Sequence, residues 1–289
     1  MILGVLLPQG HRWAGAIGWL VPAMLFITFL QTRLSHRTLR RSHLVLLAAN
    51  VAMAFAAWGV GWQLGGRDVA LAGFFAGITP TATAAPVVMS FLGGQVDYVI
   101  AAFLLTNLAI PALLPGLLPL VLGQANAFEV FQHVLGSMVL RVFAPMAAAA
   151  ALRLIHPPAA KWGARLRNLS FGLWVMALFL VTANASDFLR TQTVRPATLA
   201  EIAGLTALVC AGNFSLGRWV GGKQFAREGS QSLGQKNTAL TIWLAIAYAP
   251  NPLSALGPTC YVLWHNLWNS WQLHRYRPAP EERAERSKG

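Results

Sequence analysis

Runs of about 20 apolar residues recur from one end of this chain to the other, and each is long enough to cross the hydrocarbon core of a bilayer as a helix. No other feature constrains the fold as much. Lipid offers no hydrogen-bond partner to an open strand edge, so each spanning segment is expected to be helical. No soluble domain of useful size fits between the runs. Only 11% of the 289 residues are charged, against roughly 25% in an ordinary soluble domain. The expectation is an all-α polytopic membrane protein with about nine spans, near 13–32, 43–64, 69–92, 97–122, 130–155, 168–186, 197–219, 226–249 and 253–273.

The formal charge of +13 invites a nucleic-acid reading. The distribution argues against it, because the basic residues punctuate apolar segments and form no patch on a foldable soluble unit. If odd spans run from outside to inside, the inner loops hold Arg33, Arg37, Arg40, Arg41, Arg153, Lys161, Arg165, Arg167, Arg218, Lys223 and Arg227, and the tail adds Arg275, Arg277, Arg283, Arg286 and Lys288. The outer side holds Arg12, Arg67, Arg190 and Arg195. Sixteen against four is a strong positive-inside asymmetry. It predicts a multi-pass protein of a cell membrane, plasma or bacterial inner, with its N-terminus outside and its C-terminus in the cytoplasm. Trp13, Trp62, Trp219, Trp268 and Trp271 fall near span ends, as interfacial anchors do. "MILGVLLPQG" lacks the basic leader and cleavage site of a signal peptide. The tail "RPAPEERAERSKG" is expected to be disordered.

Two cations remain, Arg141 and Lys236, and both fall inside spans. A charge at mid-bilayer costs about 2.5–3.5 kcal/mol even on a lenient insertion scale. All nine acidic residues lie in loops, at span ends or in the tail, so no central carboxylate is available to either cation.

Two spans look broken. The third, "VALAGFFAGITPTATAAPVVMSFLGG", carries Pro80 and Pro86 among Thr79, Thr81 and Thr83. Proline removes a backbone donor, and threonine hydroxyls can satisfy the carbonyls it frees. A packed, kinked helix is the plainer account, but this polar density exceeds an ordinary kink. The eighth holds "EGSQSLGQKNTAL" before its apolar half. A cytoplasmic loop ending before Thr238 would leave Lys236 at the membrane surface. Against that, "TALTIWLAIAYAP" alone is too short to span. Interrupted helices at matching places in two halves point to an inverted-repeat transporter with its site between them.

The stretch "GITPTATAAPVVMSFLGGQVDY" resembles the first broken-helix motif of the bile acid:sodium symporter family, roughly Pro-Gly-Gly-x-x-Ser-Asn-Val followed by Leu and Gly-Asp. "SLGQKNTALTIWLA" resembles its second, roughly Glu-Val-Gly-Met-Gln-Asn-Ser-Gly-Leu, with Gly234, Asn237, Thr238 and Leu240 matching. The order of spans agrees from about Met1 to Tyr276. The resemblance implies a first repeat over 1–122 with its first helix missing or reduced, a second over 130–273, and a tail over 274–289. It also implies a core domain, a panel domain and two crossing broken helices. Ser232 stands where the family's sodium-site glutamate should be, Lys236 where its glutamine should be, and Ala85 and Pro86 replace a Ser-Asn pair. An ammonium in that crevice would repel sodium by about 4 kcal/mol at 4 Å with an effective dielectric near 20.

The expected function is therefore secondary transport of small or amphipathic organic anions without the family's usual sodium sites. Lys236, beside half-helix N-termini, would supply in place the charge that sodium brings to relatives. Proton exchange at Lys236 would give proton coupling, and its absence uniport. The alternative is that Lys236 snorkels to the inner surface. The substrate-binding candidates are Thr79, Thr81, Thr83, Lys236, Asn237, Thr238 and Arg141, and the ion-coupling candidates Lys236, Ser232 and Gln235. Arg141 either meets a substrate carboxylate or binds backbone carbonyls at a helix break near Pro145. Asn107, Asn184, Asn213, Asn266 and Asn269 read as helix–helix glue, and His133 as a packed or interfacial residue. A sodium symporter with displaced ion sites, or a sensor or enzyme on a transporter-like fold, is the competing reading. No HExxH, GxSxG or Walker motif supports an enzyme or an ATP-driven pump, and only Ser232/Lys236 is a thinkable catalytic pair. A channel would want a ring of charges that is missing. Cys210 and Cys260 both lie in apolar runs, so no disulfide framework, metal or organic cofactor is implied. The expected partners are a small organic anion and the lipid bilayer, without nucleic acid.

Overall fold

A computed structural model describes residues 2–31, 39–123, 126–191 and 193–275. The charged tail from 276 onward and the basic loop at 32–38 lie outside the described residues. The structure is 88% helical, with no strand among the described residues. The helices are α1 (Ile2–Leu6), α2 (Ile17–Gln31), α3 (Arg41–Ile78), α4 (Ala84–Phe91), α5 (Val96–Leu122), α6 (Ala127–Met138), α7 (Ala144–Ile155), α8 (Ala160–Arg165), α9 (Arg167–Thr191), α10 (Pro196–Gly221), α11 (Ala226–Gly234), α12 (Thr238–Tyr248) and α13 (Leu253–Arg275). A 3-10 segment, Pro8–Ala16, leads into α2, and a π turn, Val139–Phe143, joins α6 to α7.

Among the described residues six helices are long and apolar enough to cross a membrane: Pro8–Leu30, Arg41–Ile78, Val96–Leu122, Ala127–Ile155, Asn168–Thr191 and Pro196–Gly221. Their outward faces are apolar, with Leu120, Phe128, Leu154 and Leu208 largely exposed, as a surface solvated by lipid requires.

Helix α3 is not one rod. Gly65 (φ −139°, ψ 18°) and Gly66 (φ 74°, ψ −152°) leave the helical region, and the second of these conformations strains any residue with a side chain. The chain doubles back there. A Cβ added to Gly61 would lie 2.7 Å from Ala70 Cα, and one on Gly77 would lie 2.6 Å from Ala54 Cα. The two limbs thus run antiparallel at backbone contact, which only small residues permit. The returning limb is the centre of the molecule, buried throughout from Val69 to Ile78. Helices α10 and α13 pack on it through Leu205, Val209, Leu253 and Tyr261. Gly217 of α10 and Gly229 of α11 give a second close crossing, where an added Cβ would lie 2.9 Å from the opposing carbonyl carbon. Helices α7 and α9 each pack against α2, and α12 adjoins α2 and α9.

Candidate functional site

The returning limb of α3 stops at Ile78 because Pro80 follows. Its ring removes a donor, and the residue before a proline is driven from helical geometry; Thr79 accordingly has ψ 130°. Helix restarts at Ala84. Helix α11 stops at Gly234, and Gln235 is extended (φ −90°, ψ 110°) before α12 begins at Thr238. These two breaks meet. Thr81 and Lys236 form an antiparallel bridge. Ala82 N donates to Gln235 O and Asn237 N to Pro80 O, each at 2.8 Å. Each break thus satisfies backbone groups that the other's missing helix turns leave open.

Side chains complete the crossing. Thr81 Oγ1 donates to Ser232 O at 2.6 Å and accepts from Thr106 Oγ1 at 3.0 Å. Asn107 Nδ2 donates to Thr81 O at 2.8 Å, and Asn237 Nδ2 reaches Asn107 Oδ1 at 3.4 Å. Thr79 Oγ1 donates to Phe75 O and shares a 2.8 Å hydrogen bond with Thr241 Oγ1. Tyr261 OH donates to Gly234 O at 2.8 Å.

Lys236 is 2% exposed and reaches no surface, so it does not snorkel. Its ammonium donates to Asn50 Oδ1 and, at 3.2 Å, to Gly77 O. Asn50 Nδ2 in turn donates to Ile78 O at 3.2 Å and Thr79 O at 3.3 Å. Among the described residues no carboxylate lies within ion-pair distance of the Lys236 ammonium. Its ligands are neutral oxygens. They sit at the carbonyl end of the returning limb, where the helix dipole carries partial negative charge. Lys236 itself lies just before the N-terminus of α12, but its ammonium meets a C-terminus, because the antiparallel crossing sets Lys236 opposite Thr81, within reach of Gly77.

Two further oxygens at the end of α11 and in the second break, Ser232 Oγ and Gln235 Oε1, are buried without a hydrogen-bond partner among the described residues. Thr238 is buried in the first turn of α12, and Asn237 is half-buried. Thr83 does not join the site. It is exposed at the start of α4 and makes no side-chain cap.

Arg141 is elsewhere. It lies in the π turn that precedes Pro145, whose missing N–H cannot bond the carbonyl of residue 141, and this favours a widened turn. Its guanidinium carbon lies 5.5 Å from the Trp19 ring centre and 5.2 Å from that of Trp243. It binds no backbone carbonyl among the described residues, so the expected contact at a break near Pro145 is absent.

Five residues of the crossing escaped sequence reasoning: Asn50, Thr106, Asn107, Thr241 and Tyr261. Asn107 was assigned to helix packing. Asn50 had a signal, since it is the one polar residue in "LVLLAANVAMAFAAW". No family model matches the chain, and no curated protein matches it.

Proposed function

We propose that the chain is a secondary transporter of small or amphipathic organic anions, working by alternating access, and a divergent member of the bile acid:sodium symporter family in which Lys236 stands in for the coupling cation. One observation carries this reading: two interrupted helices cross antiparallel at Thr81 and Lys236, and a buried ammonium held by amide and carbonyl oxygens joins them. Interrupted helices that meet inside a helical membrane protein supply the polar backbone from which transporters build midplane sites.

On this reading the chain makes nine passes. The two limbs of α3 count separately, the second continues through α4, α6 and α7 form one pass, α11 and α12 one, and α13 the last. The breaks then fall in passes three and eight, as two inverted repeats over 1–122 and 130–273 require. Helices α2, α6–α7 and α9 form the panel, and the rest form the core that carries the crossing. The positive-inside asymmetry sets the N-terminus outside and the C-terminus in the cytoplasm.

The buried, unpartnered Ser232 Oγ and Gln235 Oε1 favour a second reading, a sodium symporter whose ion site is displaced along α11. Uptake of an organic-anion panel into proteoliposomes, with sodium and with a sodium-free salt, separates the two. Sodium-independent uptake that Lys236→Gln abolishes supports the tethered cation. Uptake that requires sodium selects the displaced site, and uptake unchanged in Lys236→Gln removes Lys236 from the mechanism.

A further inference from the structure

Arg141 is a cation without a counter-ion among the described residues, and the crossing does not use it. Its helix, α6 through α7, runs from Ala127 to Ile155, so it sits near the middle of a pass. Its guanidinium is half-buried, against indoles from two different helices, Trp19 of α2 and Trp243 of α12. Ring faces attract a cation but accept no conventional hydrogen bond from its N–H groups. None of those donors has an acceptor among the described residues.

A second donor points to the same place. Gly18 leaves a notch in α2. A Cβ there would collide with Arg141 Nη1 and would lie 3.1 Å from Trp243 Nε1. The indole N–H of Trp243 likewise has no acceptor among the described residues. A guanidinium and an indole N–H thus converge on one small space, with nothing to donate to.

We infer that Arg141 and Trp243 form an oxyanion site for a monocarboxylate ligand at the seam between α2, the α6–α7 helix and α12. The planar N–H fork of a guanidinium matches the two oxygens of a carboxylate. One fixed cation neutralises one negative charge, and a dianionic phosphate would keep an uncompensated charge in an apolar surround. Because Trp243 belongs to the broken eighth pass and Arg141 and Trp19 do not, an oxyanion seated here touches both groups of helices at once. This deepens the transporter reading and rests on it only for the ligand being cargo.

The test uses the full chain in lipid nanodiscs, with benzoate and hexanoate as probes and benzamide and hexanamide as their neutral counterparts. Binding is followed by calorimetry and by tryptophan fluorescence. The carboxylates should saturate and the amides should not. Arg141→Gln should weaken carboxylate binding about tenfold to a hundredfold, the worth of hydrogen bonds to a charged group. Arg141→Lys, which keeps the charge and loses the fork, should fall between. Gly18→Ala keeps every donor but displaces the guanidinium, and should also weaken binding, which covers the case in which Arg141→Gln fails to fold. Carboxylates that do not saturate the wild type, or bind the folded variants unchanged, overturn the site. Radiolabelled benzoate counterflow separates this from the transporter reading. Arg141-dependent binding without flux leaves the site and removes the transporter; flux unchanged in Arg141→Gln does the reverse.

Discussion

Asn50 is the sharpest probe of how the buried ammonium is held. Replacing it with leucine keeps the volume and removes three contacts at once: the acceptor for Lys236 Nζ and the donors to Ile78 O and Thr79 O. A hydrogen bond to a charged group contributes about 1.5–3 kcal/mol. The two long amide contacts add about 0.5–1 kcal/mol each, at the low end for neutral pairs. Depriving a buried charge of its partner typically costs about 3–5 kcal/mol, so the two routes agree, and Asn50→Leu should destabilise by about 3–5 kcal/mol. At roughly 2–4 °C per kcal/mol for a chain of this size, the apparent Tm should fall by about 6–20 °C. Lys236→Met leaves Asn50 Oδ1 and Gly77 O without a donor, at about 1–3 kcal/mol each, but it removes a desolvated charge worth several kcal/mol. These terms nearly offset, and the single variant should stay within about 2 kcal/mol of wild type. In the double variant no ammonium is left to satisfy and no amide is left unpaired. It should be more stable than Asn50→Leu alone, with a coupling energy of about 2–4 kcal/mol. Thermal unfolding of all four proteins in the same nanodiscs measures that coupling. If the Asn50→Leu cost is equal in both backgrounds to within about 0.5 kcal/mol, the expectation for independent sites, then Asn50 does not hold the ammonium and the reasoning fails.

Gly257→Ala should lower the apparent Tm, because the new Cβ would collide with Ala72 O and lie 2.8 Å from Ala72 Cα, backbone that cannot yield without parting α13 from the central limb; overpacking of this kind costs about 1–3 kcal/mol. Gly116→Ala is the matched control: it meets nothing within 4 Å in the middle of α5 and should be neutral or stabilising by up to about 1 kcal/mol. On the transport reading, with the coupling charge tethered, a monoanion crosses unaccompanied. An inside-negative potential of 100 mV, worth about 2.3 kcal/mol per charge, should therefore hold the anion roughly 50-fold more concentrated outside than inside potassium-clamped proteoliposomes. A distribution insensitive to the clamp would mean that a cation travels with the substrate.

Fold class was legible because lipid leaves few options. A run of apolar residues long enough to span has to be helical, and the described residues of those runs are helical except at the two breaks and a few run ends. The breaks were legible for a related reason. Pro80 and the polar run from Gly229 to Thr238 have no purpose in a plain spanning helix, and the helices do stop at Ile78 and Gly234. What pairs with what was not legible. Thr79, Thr81 and Thr83 look equivalent in sequence, yet the first two face the opposite break and the third faces outward. Asn50 is 186 positions from Lys236 and meets it only because Gly65 and Gly66 fold the first limb of α3 back along the second. A glycine pair can be read as a turn, but the register that sets Ala54 against Gly77 is decided by packing.

The direction in which Lys236 points bears on how the two intramembrane cations divide their roles. A crossing of two interrupted helices has four helix ends, two with unpaired N–H groups and two with unpaired carbonyls. Sequence locates the breaks but not which end a long side chain will reach. Here the antiparallel bridge fixes the answer. Lys236 lies opposite Thr81, so its side chain runs back along the returning limb to Gly77 O, a carbonyl end that stabilises a cation. Its ammonium already donates to two protein oxygens and is shut off from any surface. A group so engaged holds the two broken helices together, as a bound cation would, and has little left to offer a substrate anion. Arg141 has the opposite character: half-buried, and with donors that meet ring faces and no acceptor among the described residues. On the transport reading, then, Lys236 replaces the coupling ion and Arg141 receives the cargo. Lys236→Gln should abolish sodium-independent flux while leaving carboxylate affinity in place, whereas Arg141→Gln should weaken carboxylate affinity. The assignment fails if each substitution alters the property given to the other.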